Sequence, residues 1–372
     1  MKVLVTGGAG FIGSHIVDGL ISKGHEVRIL DNLDPQVHGK KQKPPEYLNK
    51  KAEFLKGDVR DKKDLKKALD GVDVVFHEAA AVGVGQSMYM IDYYVDVNCR
   101  GTGMLLEEIV GGEHDIKKLI VASSMSIYGE GVYECGKCGK INPDFRGVKQ
   151  LEEHDWEMKC PACGKTTKPA PTTEEKPLKP TSVYAVTKRD QEELVLSVGK
   201  AYGIPSVALR YFNVYGPRQS LSNPYTGVAA IFQSNLKNNN PPIVYEDGLQ
   251  SRDFIDVRDV VAANLLVMES KKANYEMFNV GTGNQITVLD IAHTLARLYG
   301  KDILPKIENK FRQGDIRHCY PDISKIKKIG FNPKITFEQG MKDLVGWGKT
   351  QDAVDLSQKA LDELKSRKLV EE

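Results

Sequence analysis

The sequence of 372 residues lacks an apolar run long enough to cross a membrane, and it lacks an excess of charge of either sign. A spanning helix needs about 20 consecutive apolar residues, so we expect no membrane span and no secretory signal peptide. The 52 basic and 50 acidic residues leave a formal net charge of +2, which argues against a general polyanion binder. We therefore expect a cytoplasmic protein with neither a nucleic-acid nor a membrane partner.

Cysteine is also scarce, with six in the whole chain. Disulfides are rare in the cytoplasm, so these residues are expected to be thiols or metal ligands. Two C-x-x-C pairs occur within residues 131–170, a passage of different composition that we call the four-cysteine insert. Two such pairs can complete a tetrahedral site of four thiolates, which suits zinc. The predicted ligands of this structural zinc are Cys135, Cys138, Cys160 and Cys163.

Other interpretations of the insert are weaker. His154 is an alternative ligand, but a solvated loop histidine is the simpler reading. A redox role for the C-x-x-C pairs lacks a preceding thioredoxin-like strand. Basic and acidic residues nearly balance in the insert, which argues against a phosphate-binding finger. The two remaining cysteines, Cys99 and Cys319, are expected to be buried thiols.

Glycine, by contrast, is concentrated at the start of the chain. A short apolar run at residues 3–5 predicts a buried strand, and Gly7, Gly8, Gly10 and Gly13 follow it. The sequence then takes on a helical period. A strand, a glycine turn and a helix form the context in which this spacing predicts dinucleotide binding, with the phosphates at the helix N-terminus.

Acidic and small residues follow the next strands in suitable places. The second predicted strand, residues 27–30, ends in Asp31, whose carboxylate would accept hydrogen bonds from the adenosine ribose and favour NAD over NADP. The third ends in Asp58, where a carboxylate commonly meets the adenine amino group. The fourth runs into Ala79 and Ala80, which suit a close approach of backbone to cofactor.

Predicted strands and helices alternate along the first half of the chain. Strands are expected at residues 52–58, 73–77 and 118–122, and helices at 61–69, 92–110 and 182–202. Alternation of this kind implies right-handed crossovers and a doubly wound parallel α/β sheet of the Rossmann type.

A tyrosine–lysine pair stands out after the insert. Tyr184 and Lys188 are four residues apart at the start of a predicted helix, and a nearby ammonium group would lower the pKa of the phenol. The spacing alone means little, because Tyr47 and Tyr133 are also followed by lysine at the same distance. Only Tyr184 opens an amphipathic helix and follows a serine-bearing strand end at Ser124.

These features together resemble the extended short-chain dehydrogenases/reductases that act on nucleotide sugars, over about residues 1–345 without the insert. The motifs that carry the resemblance are Gly7-x-x-Gly10-x-x-Gly13, Asp31, Ser124, Tyr184-x-x-x-Lys188 and the stretch Arg-Tyr-Phe-Asn-Val-Tyr-Gly-Pro at 210–217. Within the family, the similarity is greatest to the groups that epimerise UDP-galactose and dTDP-L-rhamnose at C4.

The resemblance implies roles for individual residues. The implied catalytic residues are Ser124, Tyr184 and Lys188. The implied NAD-binding residues are Gly7, Gly10, Phe11, Ile12, Gly13, Asp31, Asn32, Asp58, Val59, Ala79, Ala80, Asn98, Tyr184 and Lys188. The implied substrate-binding residues are Ser124, Ser126, Tyr184, Asn213, Arg252 and Arg312, of which the two arginines would bind the nucleotide phosphates.

The implied substrate is a UDP- or dTDP-linked sugar, and the implied reaction is NAD-dependent epimerisation at C4. Family dehydratases carry Asp-Glu just after the serine or threonine that ends strand five, where this chain has Met125 and Ser126. A 4,6-dehydratase is therefore disfavoured, and a nucleotide-sugar decarboxylase remains the enzymatic alternative. A non-enzymatic alternative is an NAD-linked binding protein that uses the insert for partner contacts.

The predicted domain organisation places NAD binding in residues 1–130 and 171–215. Residues 216–350 would be mainly a substrate lobe, interleaved with the last sheet strand, and 351–372 a charged helical tail. The family resemblance implies a homodimer through helices 92–110 and 182–202. Because the insert leaves the sheet between Ser124 and Tyr184, we expect zinc to pin it as a rim or lid over the sugar end of the pocket.

Overall fold

The glycine-rich stretch starts in the middle of a parallel sheet in the computed structural model, which describes residues 1–40, 42–312 and 314–370. The seven strands of this sheet are β1 (Lys2–Thr6), β2 (Glu26–Asp31), β3 (Glu53–Lys56), β4 (Val74–His77), β5 (Lys118–Ser124), β6 (Ser206–Tyr211) and β7 (Glu276–Val280). Their order is β7-β6-β5-β4-β1-β2-β3, and every pairing is parallel. The order reverses between β1 and β4, which is where open sheets of this kind bind ligands. The predicted doubly wound fold is confirmed.

Helices cover both faces of the sheet and build a second lobe. The longer helices are α1 (Phe11–Ser22), α2 (Lys62–Leu69), α3 (Gly101–Gly111), α4 (Val183–Tyr202), α5 (Val228–Lys237), α6 (Val257–Glu269), α7 (Val288–Tyr299), α8 (Phe337–Lys349) and α9 (Ser357–Ser366). The short helical segments are Pro35–His38, Val84–Ser87, Ile91–Tyr94, the π-helical Val95–Arg100, Met125–Tyr128, Val148–Glu152, Lys271–Ala273 and Ser324–Lys327. The single helix expected at 92–110 is thus three consecutive helical segments.

Strand β1 illustrates why helices pack on both faces of the sheet. Val3 and Val5 belong to a buried cluster that includes residues of α1 and α6. Leu4, which points to the opposite face, belongs to a cluster with residues of α2, α3 and α4. Consecutive residues of a strand face opposite sides, so a strand buried on both faces has the continuous apolar run seen here.

Helix α6 and strand β7 come from later in the chain but pack with the main sheet. A Cβ atom on Gly19 of α1 would lie 2.7 Å from a side-chain carbon of Val261 in α6. The glycine therefore allows the two helices to cross closely. The half of the molecule built on the main sheet therefore contains α6 as well as the interleaved strand.

The smaller lobe has its own core between α5, α7 and α8. Short strands connect it to the sheet: Asn213–Tyr215 pairs with Phe254–Asp256, Ile243–Val244 with Lys306–Ile307, and Ser251–Arg252 with both Ile286–Thr287 and His318–Cys319. The charged tail contains α9, in the region where a helix is expected.

The four-cysteine insert forms a small antiparallel sheet of its own, made of Val132–Cys135, Gly139–Ile141 and Lys168–Ala170. It leaves the main sheet after β5 and returns before α4, as expected. In the described part of the chain, no helix combines the length and apolar character needed to cross a membrane.

Candidate active site

The glycine turn between β1 and α1 lets backbone pack closely against backbone at the start of α1. Gly7 has φ of +67°, and a Cβ atom there would lie 2.8 Å from the backbone nitrogen of Ala79. A Cβ atom on Gly13 would lie 2.3 Å from the Gly7 carbonyl oxygen. Gly10 precedes α1 and offers no side-chain cap, so the N–H groups of Phe11 and Ile12 remain available to an anion. This cradle fits a pyrophosphate.

Two carboxylates lie beyond the glycine turn. Asp31 accepts hydrogen bonds from the backbone N–H groups of Ala9 (3.0 Å) and Leu33 (2.8 Å). Burial raises the pKa of Asp31. Asp58 accepts hydrogen bonds from the Asn32 amide (3.0 Å) and from Arg60 (2.7 Å).

The two carboxylates therefore differ in their electrostatics. Burial acts to raise the pKa of Asp58, but hydrogen bonds from Arg60 and Asn32 hold that pKa at about 2. Asp31, at the end of β2, thus has few cationic partners, whereas Asp58, after β3, is strongly paired with Arg60. Both lie where the adenosine half of a dinucleotide would fit.

The end of β4 contains the predicted small residues, and Asn98 lies next to them. Its side chain is fully buried. The amide oxygen accepts from the Ala81 N–H at 2.7 Å, and the amide nitrogen donates to Ala81 O (3.1 Å) and to Thr187 Oγ1 (2.9 Å). Asn98 therefore ties the end of β4 to α4. Val59 is also buried, against Gly101 at the start of α3.

The structure brings the predicted serine and tyrosine together. Ser124 ends β5, and Tyr184 lies in the first turn of α4, where Ser182 caps the helix by accepting from the Ala185 N–H at 3.1 Å. Ser124 is near enough to the Tyr184 hydroxyl to act to lower the pKa of that phenol. Ser126 donates its own hydroxyl proton to Ser124 Oγ at 3.0 Å. The three hydroxyl groups therefore lie next to one another.

The electrostatics of Tyr184 differ from the expectation. Burial raises the pKa of Tyr184 to about 12, and the hydrogen bond with Ser124 only partly opposes this. Lys188 instead donates to Ala122 O (2.8 Å) and Gln191 Oε1 (2.9 Å). The expectation that Lys188 lowers the phenol pKa is wrong for the protein alone, because burial dominates.

Lys188 itself is strongly affected by its surroundings. Burial lowers the pKa of Lys188 to about 8, opposed by the charge of Glu78. Sequence reasoning missed Glu78, whose own pKa burial raises to about 7 and whose carboxylate accepts from the Tyr211 hydroxyl at 3.0 Å. The available signal was a carboxylate directly after β4, at the sheet edge that binds ligands.

The predicted phosphate-binding residues lie in the smaller lobe and at its junction with the sheet. Asn213 Oδ1 and Arg312 Nε are buried and have no hydrogen-bond partner among the described residues. The Arg312 guanidinium lies 4.4 Å from the centre of the Tyr245 ring. Arg252 donates to backbone carbonyls of Ile316 and Arg317. Buried polar atoms without partners are costly, so a polar ligand would satisfy Asn213 and Arg312.

The four cysteines of the insert also meet. Their Sγ atoms all lie within 4.8 Å of one another, and a tetrahedral zinc site with bonds of about 2.3 Å has sulfur–sulfur edges of about 3.8 Å. Backbone N–H groups of Lys137 and Cys138 lower the pKa of Cys135 to about 6, which favours the thiolate. His154 is stacked on Trp156, with ring centroids 5.1 Å apart.

The two cysteines outside the insert are thiols, as expected. Cys319 is buried and Cys99 is half-buried. Burial raises the pKa of each to about 12, so neither is suited to act as a nucleophile.

Two family models match this chain. Residues 3–143 match that of the NAD dependent epimerase/dehydratase family, and residues 163–344 match that of GDP-mannose 4,6 dehydratase. The interval between the two matches lies inside the four-cysteine insert. The matched regions contain the glycine turn, the predicted catalytic residues and the predicted phosphate-binding residues.

Individual relatives match over nearly the whole chain. A dTDP-L-rhamnose 4-epimerase of Burkholderia thailandensis is 34% identical, over 93% of this chain and 94% of that one. The crystal structure of a UDP-glucose 4-epimerase from Thermotoga maritima, with UDP-glucose, has a TM-score of 0.76 and 32% identity, covering 94% of this chain and 99% of the other. A UDP-glucuronic acid 4-epimerase from Bacillus cereus, in complex with UDP-glucuronic acid and NAD, has a TM-score of 0.76 and 29% identity over the same shares.

Proposed function

Because this chain belongs to the NAD dependent epimerase/dehydratase family, we propose that it is an NAD-dependent nucleotide-sugar 4-epimerase, an isomerase. The observation that carries the proposal is the placement of Ser124, at the end of β5, beside Tyr184, in the first turn of α4, at the ligand-binding edge of the sheet. Epimerisation at C4 needs a group that removes the proton of the C4 hydroxyl and later returns it. Tyr184 is suited to that role.

The serine supports the tyrosine in two ways. Ser124 holds the Tyr184 hydroxyl in place, and Ser126 donates to Ser124 at 3.0 Å, so a proton leaving the sugar can be shared along these hydroxyl groups. Burial raises the pKa of Tyr184 to about 12. The phenolate therefore needs a positive charge nearby before it can act as a base at neutral pH.

The cofactor would provide that charge, and the chain has the residues to hold it. Gly7, Gly10 and Gly13 let the backbone of the turn pack closely at the start of α1, where a pyrophosphate would bind. Asp31 has acceptor capacity for the adenosine ribose, and Lys188 lies buried beneath the end of β5. When bound, NAD supplies the acceptor and then the donor of the hydride at sugar C4. The favoured cofactor is NAD, because Asp31 would repel a 2′-phosphate.

Dehydration is disfavoured by the residues next to Ser124. Met125 is buried in an apolar cluster, and the Ser126 hydroxyl is engaged with Ser124. Neither side chain can serve as the carboxyl acid/base pair that elimination of water would need. The decarboxylase alternative remains for a uronic acid substrate.

The proposed substrate is a sugar linked to UDP or dTDP. Asn213 and Arg312 each have a buried polar atom without a partner, and arginine forks suit a diphosphate. The relatives act on sugars of both nucleotides, so the base and the C6 substituent are left to experiment.

We also propose that the four-cysteine insert binds one structural zinc ion. All four ligands come from the protein, so the metal would have no open position for catalysis. Metal analysis of the purified protein should find about one zinc per chain. Loss of that zinc in a Cys135→Ser/Cys138→Ser variant would confirm the ligands, and retention of full zinc would exclude them.

A homodimer through the helical segments 91–111 and α4 is a further part of the proposal. Met104, Leu194 and Val198 on these helices are only partly buried in the single chain, as expected for residues that pack against a second copy. Light scattering should give twice the mass of the chain, and Leu194→Arg should reduce it to that of a monomer.

The decisive experiment is proton NMR of the purified protein with UDP-glucose, UDP-galactose, UDP-glucuronic acid, dTDP-glucose and dTDP-L-rhamnose, without added NAD. Formation of a C4 epimer that approaches equilibrium establishes the activity and identifies the sugar. A 4-keto-6-deoxy product or release of carbon dioxide would replace epimerisation by one of the alternatives. Absence of turnover on every sugar, with NAD and zinc bound, would favour the non-enzymatic binding protein.

A further inference from the structure

The four-cysteine insert is joined to the smaller lobe by a buried ion pair. Arg146 of the insert donates to Glu246 through both ends of its guanidinium, with Nη1–Oε2 at 3.0 Å and Nη2–Oε1 at 2.8 Å. The side chains are 1% and 4% exposed. A buried bidentate pair fixes both distance and angle, so the insert is held rigidly on the loop that follows Ile243–Val244.

A second arginine extends this contact to the segment 314–319. Arg317 is fully buried, and it pairs with Glu246 (2.9 Å), with Asp247 (2.7 Å) and with Glu157 of the insert (2.6 Å). Glu157 also accepts from His318 at 3.2 Å. Arg146 donates in addition to Asp315 O at 3.0 Å. The Tyr133 hydroxyl of the insert also accepts from the His318 N–H at 3.1 Å, so the insert contacts the 314–319 segment through at least three of its side chains.

The predicted phosphate-binding arginines depend on the same segment. Arg252 donates to the carbonyls of Ile316 and Arg317, and its strand pairs with His318–Cys319. Arg312 follows Phe311, whose ring lies 6.3 Å from that of Trp156 in the insert. Arg312 itself lies over Tyr245, the residue before Glu246. Each arginine is thus hydrogen-bonded to, or adjacent to, a residue that the insert contacts.

We propose that the metal-bound insert positions Arg252 and Arg312 for the nucleotide diphosphate, with Arg146 and Glu157 as the positioning residues. The inference rests on the proposed function, since it assigns these arginines to a nucleotide-linked substrate. It replaces the expectation of a lid over the sugar end, because the buried ion pairs of the insert lie on the segments that carry the phosphate arginines. The NAD site is built from other residues and is independent of the insert.

The test is calorimetric titration of the NAD-bound protein with UDP and with dTDP. Removing one partner of a buried pair leaves the other charge uncompensated, whereas replacing both partners by apolar residues can be tolerated. Arg146→Met and Glu246→Met should each weaken nucleotide affinity about tenfold or more, which is about 1.4 kcal/mol. The double variant should recover much of that loss. Lys149→Ala, an exposed change in the same insert, should bind as the unaltered protein does.

A second pair of measurements separates positioning from general damage. Cys138→Ser should lower zinc content and weaken UDP binding, while bound NAD, measured by absorbance, stays unchanged. With an active sugar, Arg146→Met should raise KM much more than it lowers kcat.

The outcomes distinguish this inference from the proposed function. If the unaltered protein binds neither UDP nor dTDP, both fail. If it binds them and the Arg146 and Cys138 variants bind equally well, the positioning role is overturned and the proposed function stands. Equal loss of NAD and UDP in folded variants would also overturn it.

Discussion

The NAD-binding half and the insert–lobe junction achieve precise geometry by opposite means. In the NAD-binding half, the absence of side chains lets the backbone approach itself closely: a Cβ atom on Gly7 or Gly13 would collide with backbone atoms. At the junction, long charged side chains such as Arg146 and Arg317 are fully buried and paired. The first arrangement depends on local sequence and the second on partners far apart in the chain. Substitutions in the two regions should therefore have separate effects. Those in the NAD-binding half should impair NAD binding, and those at the insert–lobe junction should impair binding of the substrate nucleotide.

The largest effect is expected in the NAD-binding half, at Tyr184. Tyr184→Phe removes the hydroxyl proposed as the acid/base, and general acid/base groups contribute about 10²- to 10⁴-fold to rate. We expect kcat to fall by that factor while bound NAD and UDP affinity remain. Single-turnover and steady-state NMR assays measure the rate.

Tyr202→Phe is the matched control, since Tyr202 lies on the same helix with 62% exposure. It should have the kcat of the unaltered protein. A Tyr184→Phe variant with normal kcat would show that the tyrosine takes no part in the mechanism.

The next largest effect tests the NAD-binding half alone. Gly13→Ala places a Cβ atom 2.3 Å from the Gly7 carbonyl oxygen, and overpacking of this kind costs about 1–3 kcal/mol. We expect the purified variant to lose its NAD and to unfold at lower temperature. Zinc content should be unchanged, because the insert is built from other contacts.

Gly346→Ala separates this clash from the general effect of a methyl group. Gly346 lies inside α8, and no atom lies within 4 Å of a Cβ placed there. Alanine in a helix interior should stabilise the protein by about 0.5–1 kcal/mol. If both variants bind NAD equally, the close approach at Gly13 is not what forms the site.

The same contrast explains what the sequence could reveal. The glycine turn, Asp31 and the pair of Tyr184 and Lys188 lie at short spacings within single elements, so their physical meaning can be recognised from order along the chain. The Sγ cluster of the insert is likewise local to two knuckles. The doubly wound sheet followed from alternating periodicity.

The junction could not be predicted in this way. Arg146 and Glu246 are a hundred positions apart, and nothing in either neighbourhood indicates that a charge will be buried. The hydrogen bonds of Asn98 to Ala81 and Thr187 likewise join residues far apart in the chain. The raised pKa of Tyr184 comes from burial, which a sequence does not reveal.

The smallest expected effect concerns pH and lies at Asp31. Burial raises the pKa of Asp31 above its usual 3.8, while the pKa of Asp58 is about 2. As pH falls toward the raised value, Asp31 takes up a proton before Asp58 does and loses acceptor capacity for the ribose hydroxyls. NAD affinity of the cofactor-free protein should therefore fall as pH falls, by about tenfold or less, the worth of one hydrogen bond. NADP binding should weaken less, because protonation also removes the repulsion of its 2′-phosphate.

Fluorescence titrations with both cofactors across the range from about pH 7.5 to 5 measure the two affinities. Asp31→Asn should bind NAD weakly throughout and lose this pH dependence. His38 lies 3.7 Å from Asp31, so His38→Gln separates its titration from that of the carboxyl: the dependence should persist in that variant. A ratio of NAD to NADP affinity that is constant with pH in the unaltered protein would mean that Asp31 does not meet the ribose. Selectivity for NAD over NADP in this half would then depend on the shape of the site, to which the glycine turn contributes. No charged side chain would remain to repel the 2′-phosphate of NADP.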